Sequence, residues 1–171
     1  MKNIVLIGFM GTGKTSIGRR LAQRLGRAFI DTDAEIEAVT GKTISQLFAK
    51  FGVVRFRSEE DLLVKRLAGR EDLVISTGGG MVLNPENVRL LKEKGVLITL
   101  TASPEVIHSR VKYKRNRPML LKGELKQRIR ELLEERDGVY DMADCFVDTG
   151  IYSVDETVEQ ILLHLSERKE I

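Results

Sequence analysis

Gly8, Gly13, Lys14 and Thr15 fall on the spacing G-x-x-x-x-G-K-[ST] within GFMGTGKTS, the pattern of a loop that cradles nucleotide phosphates. The run IVLIG before it reads as a strand and SIGRRLAQRL after it as a helix, which is the context the mechanism needs. Glycines let successive backbone N–H groups turn inward, and the helix N-terminus adds its positive dipole end. Gly11, Thr12, Gly13, Lys14, Thr15 and Ser16 are the expected triphosphate grip. Lys14 would reach the β- and γ-phosphates, and the Thr15 hydroxyl would ligate Mg²⁺. The Asn-Lys-x-Asp motif that reads a guanine base is absent from the sequence.

A triphosphate grip leaves the destination of the phosphate open. Asp31 and Asp33, in DTD, stand at the end of a second predicted strand, the edge where open α/β sheets bind ligands. One carboxylate there can hold Mg²⁺ while the other aligns a hydroxyl and draws off its proton. Either could also serve only as a helix cap. In FRSEE, Arg57 and Glu60 have the i, i+3 spacing of a helical ion pair, whether it braces a binding arginine or merely decorates a surface. A third strand ends in STGGG, and Gly78, Gly79 and Gly80 suit a turn that lets backbone approach a ligand closely.

The elements needed to position these residues are legible. KNIVLI, AFID, LVIST, VLITL and CFVDT read as strands buried on both faces, because they are nearly continuous in apolar residues. Thr43 with Gln46 and Ser153 with Glu156 have capping-box spacing, and Asn84-Pro85 and Ser103-Pro104 pair a cap with proline at the first helical position. Strands alternating with helices predict right-handed βαβ units and a parallel sheet. With 171 residues, no linker and no repeat, a single domain over residues 1–171 is expected.

Composition narrows the class. At 42% hydrophobic and 31% charged the chain suits a folded soluble protein; no membrane span or secretory signal is legible, so a cytoplasmic location is expected. Cys145, the one cysteine, is expected in the core rather than in a disulfide. Net charge is +3, yet Arg110, Lys112, Lys114, Arg115 and Arg117 put five cations into eight residues, without which the remainder would carry −2. Such a cluster points to an anion met at one place. Few aromatics interleave with it, so nucleic acid is not the expected partner.

GFMGTGKT, DTD, FRSEE, TGGG, RNRPML and EERDGVY, in this order, resemble the shikimate kinase family over nearly the whole chain. The resemblance implies the P-loop NTPase fold of the nucleoside-monophosphate-kinase type: a five-stranded parallel sheet flanked by helices, with a lid at about 112–123 and a substrate-binding segment at about 32–60. It implies transfer of the γ-phosphoryl group of ATP to the 3-hydroxyl of shikimate, with Mg²⁺, by a monomer. Position by position it makes Asp33 the binder of the substrate hydroxyls and the candidate base. It makes Arg57 and Arg136 the carboxylate binders, with Gly79 and Gly80 lining the ring. Asp31 and Thr15 go with Mg²⁺, Arg117 becomes the lid arginine over the phosphates, and Arg110 lies near adenine. Lys14, Asp33 and Arg117 form the expected catalytic set.

Two positions depart from the family pattern: Val53 stands where Glu is common, and Gly138 where proline is common. His108 and His164 lack metal-ligand spacing, and Tyr140 is expected to pack rather than to act as an acid. The alternatives carried forward are another small-molecule P-loop kinase, such as gluconate kinase, and a nucleotide-sensing or nucleic-acid-binding module.

Overall fold

A computed structural model describes residues 1–113 and 124–170. Five strands, β1 (Asn3–Ile7), β2 (Ala28–Asp31), β3 (Leu73–Ser76), β4 (Gly95–Thr101) and β5 (Cys145–Asp148), form one parallel sheet in the order β2-β3-β1-β4-β5. In this order β3 lies between β2 and β1. Their carboxyl ends are therefore neighbours, and GFMGTGKT, DTD and TGGG, far apart in sequence, leave the sheet side by side.

The helices cover both faces. Ile4 and Leu6 of β1 point into a core shared with Ile17 and Leu21 of α1 (Lys14–Leu25) and Val158, Ile161 and Leu165 of α7 (Val154–Glu167). Val5 and Ile7 point the other way, toward residues of α2 (Thr32–Thr40), α3 (Ile44–Leu67) and α4 (Pro85–Glu93). Period-two alternation in an all-apolar strand thus feeds two cores, each full side-chain burial contributing roughly 1.5–3 kcal/mol. A third cluster joins Phe9 and Met10 of the phosphate loop to α5 (Pro104–Val111) and α6 (Leu125–Glu135), so the loop rests on packed side chains.

Burial on both faces holds for β1, β3 and most of β4 but not at the sheet edges. Ala28 of β2 is exposed, and β5 alternates, with Phe146 53% exposed between buried Cys145 and Val147. An edge strand lacks a neighbour to carry the covering layer across it, and a short apolar run does not reveal that in sequence. All four helix starts fall where the caps predict, with full capping boxes at Thr43 and Ser153. Helix α3 is two helices in one, broken by Gly52 at φ 75° and ψ 179°. The second half carries Arg57 and Glu60. Among the described residues no helix is long and apolar enough to cross a membrane.

Candidate active site

The phosphate loop is held from within. Lys14 Nζ donates to the carbonyls of Gly8 and Phe9, both at 2.8 Å; these neutral acceptors keep its charge at the centre of the loop. Thr12, 1% exposed, donates its hydroxyl to the Phe9 carbonyl, and its own carbonyl accepts from Thr149 Oγ1 at 2.8 Å. Gly13 is the N-cap of α1 and has no side chain to occupy the helix end, which leaves those N–H groups for an anion.

Asp31 has two tasks. It caps α2 by accepting from the amides of Asp33 and Ala34, and its other oxygen accepts from Thr15 Oγ1 at 2.7 Å. A hydroxyl and a carboxylate in contact at the head of α1 supply hard oxygen ligands suited to Mg²⁺ shared with phosphate. Thr32, between the two aspartates and fully buried, accepts from the Gly78 amide at 2.8 Å. That bond ties the DTD turn to the glycine turn.

The glycine turn is where the residues expected on the acceptor side meet. A methyl group on Gly78 would stand 2.8 Å from Oδ1 of Asp33 and 2.9 Å from Oε1 of Glu60, and one on Gly80 would stand 2.2 Å from Nη2 of Arg57. A side chain at either position would displace one of these groups. Arg57 Nη1 meets Glu60 Oε2 at 2.5 Å, and Glu60 is 1% exposed, so the FRSEE pair is a buried brace and not surface decoration. Burial raises the Glu60 carboxyl to about 7 against the opposing pull of Arg57, with Asp33 and Asp61 adding repulsion.

Arg136, the C-cap of α6, is 6% exposed, and its Nη1 lies 3.3 Å from the Gly79 carbonyl. Its guanidinium stands 5.5 Å over the ring of Phe9, so the arginine expected on the acceptor side rests on a residue of the phosphate loop. Among the described residues no carboxylate pairs with it. A buried, fixed cation so placed suits an incoming anion.

A cavity of about 830 Å³ is lined by the loop residues Gly11 to Ser16, by Asp31 and Asp33, by Gly78 and Gly79, and by Arg110. Arg57, Gly80 and Arg136 are not in its lining; they stand behind its Gly79 end. Arg110 donates to Gly11 O, Thr149 Oγ1 and Thr149 O, which ties the residue after β5 to the phosphate loop. Arg117 and most of the expected lid lie outside the described residues.

Several residues here carry no signal in the sequence. Tyr152, Val154 and Thr157 line the same cavity, and Val154, the first residue of α7, is 43% exposed. Nothing local marks a helix start as a cavity wall. Tyr140 packs, as expected, but its hydroxyl also donates to the Gly79 carbonyl at 2.6 Å. Its sequence nearness to Arg136 was the available signal. Val53 is 43% exposed beside the Gly52 kink, and Gly138 has φ 73°, a value proline cannot take.

Residues 10–166 match the family profile for shikimate kinase. The chain is 69% identical over 171 residues to the shikimate kinase of Pelotomaculum thermopropionicum, covering 100% of this chain and 99% of the relative. It is 56% identical over 168 residues to that of Desulforudis audaxviator, covering 98% and 88%. Among solved structures, shikimate kinase from Acinetobacter baumannii in complex with shikimate superposes with a TM-score of 0.94 at 38% identity, covering 99% of this chain and 95% of that one.

Proposed function

The chain belongs to the shikimate kinase family, and from that premise we propose how its own residues divide the work. The enzyme transfers the γ-phosphoryl group of ATP to the 3-hydroxyl of shikimate, giving shikimate 3-phosphate on the way to chorismate and the aromatic amino acids, and uses Mg²⁺. This membership sets aside gluconate as the acceptor.

On the donor side, Gly11 to Ser16 take the triphosphate, Lys14 exchanges its two carbonyl partners for phosphate oxygens, and Arg110 lies beside the base. Thr15 and Asp31 would hold Mg²⁺, which when bound neutralises phosphate charge. On the acceptor side, Arg57 and Arg136 take the shikimate carboxylate and Gly79 and Gly80 line its ring. Asp33 aligns the attacking hydroxyl and accepts its proton as the oxygen closes on the γ-phosphorus in line with the departing ADP oxygen. Arg117 completes the charge neutralisation. The substrate-binding segment is 32–60 and the lid 112–123, within one domain of a cytoplasmic monomer.

The observation that carries this reading is the convergence of two guanidinium groups on a single glycine turn beside Asp33, one of them braced by a carboxylate and the other, among the described residues, not. A ligand with one carboxylate and several hydroxyls matches planar forks at one end and a carboxylate at the other. The test is ATP consumption coupled to ADP detection, with and without shikimate, for the native chain and Asp33→Asn. Turnover should require shikimate and fall on the order of 10³-fold in the variant; near-native turnover by Asp33→Asn would remove Asp33 from its role.

A further inference from the structure

Arg57 and Arg136 are both read as carboxylate binders, yet among the described residues only Arg57 has a carboxylate to fix its orientation. A guanidinium can rotate about its long stem, and a two-pronged contact with a carboxylate forms only when the planes match. Something else must set the plane of Arg136.

Tyr140 has the geometry for it. Its hydroxyl carries one proton, donated to the Gly79 carbonyl at 2.6 Å, so its lone pairs are left toward Nη1 of Arg136 at 3.5 Å. The same Gly79 carbonyl accepts from Nη1 at 3.3 Å. The backbone of Tyr140 is anchored in turn, because Thr99 on β4, 1% exposed, donates its hydroxyl to the Tyr140 carbonyl at 2.9 Å. Burial raises the phenol above its ordinary pKa, so it remains a donor at neutral pH. A relay of contacts therefore runs from β4 through Tyr140 to the glycine turn and on to one prong of Arg136. Among the described residues Nε and Nη2 of Arg136 have no hydrogen-bond partner.

We propose that Tyr140 is a positioning residue for the acceptor carboxylate: its hydroxyl pins the Gly79 carbonyl, and together they hold Nη1 of Arg136 so that the rest of the guanidinium edge faces the carboxylate. This rests on the reading of Arg136 as a carboxylate binder. Packing alone would be served equally by phenylalanine. The hydroxyl is what distinguishes the two roles.

Tyr140→Phe keeps the ring and removes the relay. Shikimate KM should rise about five- to tenfold, the scale of one hydrogen bond, while ATP KM and kcat at saturating shikimate stay within about twofold and the melting temperature moves by only a few degrees. Thr99→Val, which leaves the phenol but frees its backbone, should raise the same constant by less. An acceptor analogue with hydroxymethyl in place of the carboxylate should be used equally by the native enzyme and Tyr140→Phe. An unchanged shikimate KM, an equal rise in both KM values, or a penalty that persists with the analogue would overturn the proposal. Arg136→Lys separates the two levels: if it raises shikimate KM while Tyr140→Phe does not, only the positioning role falls. If neither variant does, the reading of Arg136 falls with it.

Discussion

The proposed donor and acceptor halves of this site touch at Phe9 and Gly79, yet they are built in opposite ways. The phosphate loop draws Gly8 to Ser16 from one continuous stretch and makes several of its bonds within itself, Lys14 on Gly8 and Phe9 and Thr12 on Phe9, with Thr149, Arg110 and Asp31 bonding to it from outside. The acceptor side is assembled from the DTD turn, the second half of α3, the turn after β3 and the end of α6, cross-tied by Thr32 to Gly78, Arg57 to Glu60 and Tyr140 to Gly79. A loop that folds on local bonds tolerates change around it. A site made of distant segments is only as good as the ties between them.

Variants can separate the halves. The largest effect is expected on the donor side, where Lys14→Met should lower kcat on the order of 10²- to 10³-fold through lost stabilisation of developing charge, while shikimate affinity measured by calorimetry stays near native. Arg136→Ala should do the reverse, raising shikimate KM roughly 10- to 100-fold, the worth of a charged hydrogen bond at about 1.5–3 kcal/mol, with ATP affinity unchanged. Parallel loss of both affinities in either variant would mean that the halves are not separable.

Glu60 gives the comparison a pH dimension. Its folded-state pKa of about 7 lies above the ordinary carboxylate value of 4.5. The native state therefore binds more protons between those values, and stability falls as pH rises through them, by about 3 kcal/mol in all. The contribution is fully present below about pH 4.5 and lost above about pH 7. Glu60→Gln should flatten that decline in urea denaturation between pH 5 and 8. It should also weaken shikimate binding through Arg57 and leave ATP binding alone. The smallest effect is expected from the caps: Thr43→Ala at the start of α3 and Ser153→Ala at the start of α7 should each cost about 1 kcal/mol in the same denaturation measurement.

The two halves were also unequally legible. Asp31 shows why: whether it caps a helix or serves a metal could not be separated in DTD, and it caps α2 with one oxygen while the other accepts from Thr15, the residue proposed to share Mg²⁺ with it. Arg57 and Glu60 were readable as an ion pair but not as a buried one, since burial comes from β3 and its glycine turn, which spacing on α3 cannot report. Tyr140 was readable as packing. Its hydroxyl acquires a partner only because β3 lies next to β1 and presents the Gly79 carbonyl.

By itself the sequence determined what short-range physics controls: the strand-loop-helix phosphate grip, the caps that begin α3, α4, α5 and α7, and the alternation that makes a parallel sheet. The ordered motifs determined the family. Tertiary structure alone decided which residues share a turn, that Glu60 is buried enough to hold a proton near neutrality, that Val154 lines a cavity, and that the Tyr140 hydroxyl and Arg136 meet at the Gly79 carbonyl. Those outcomes depend on strand order and on contacts across tens of residues, where burial and hydrogen-bond partners are properties of the neighbours rather than of the residue itself.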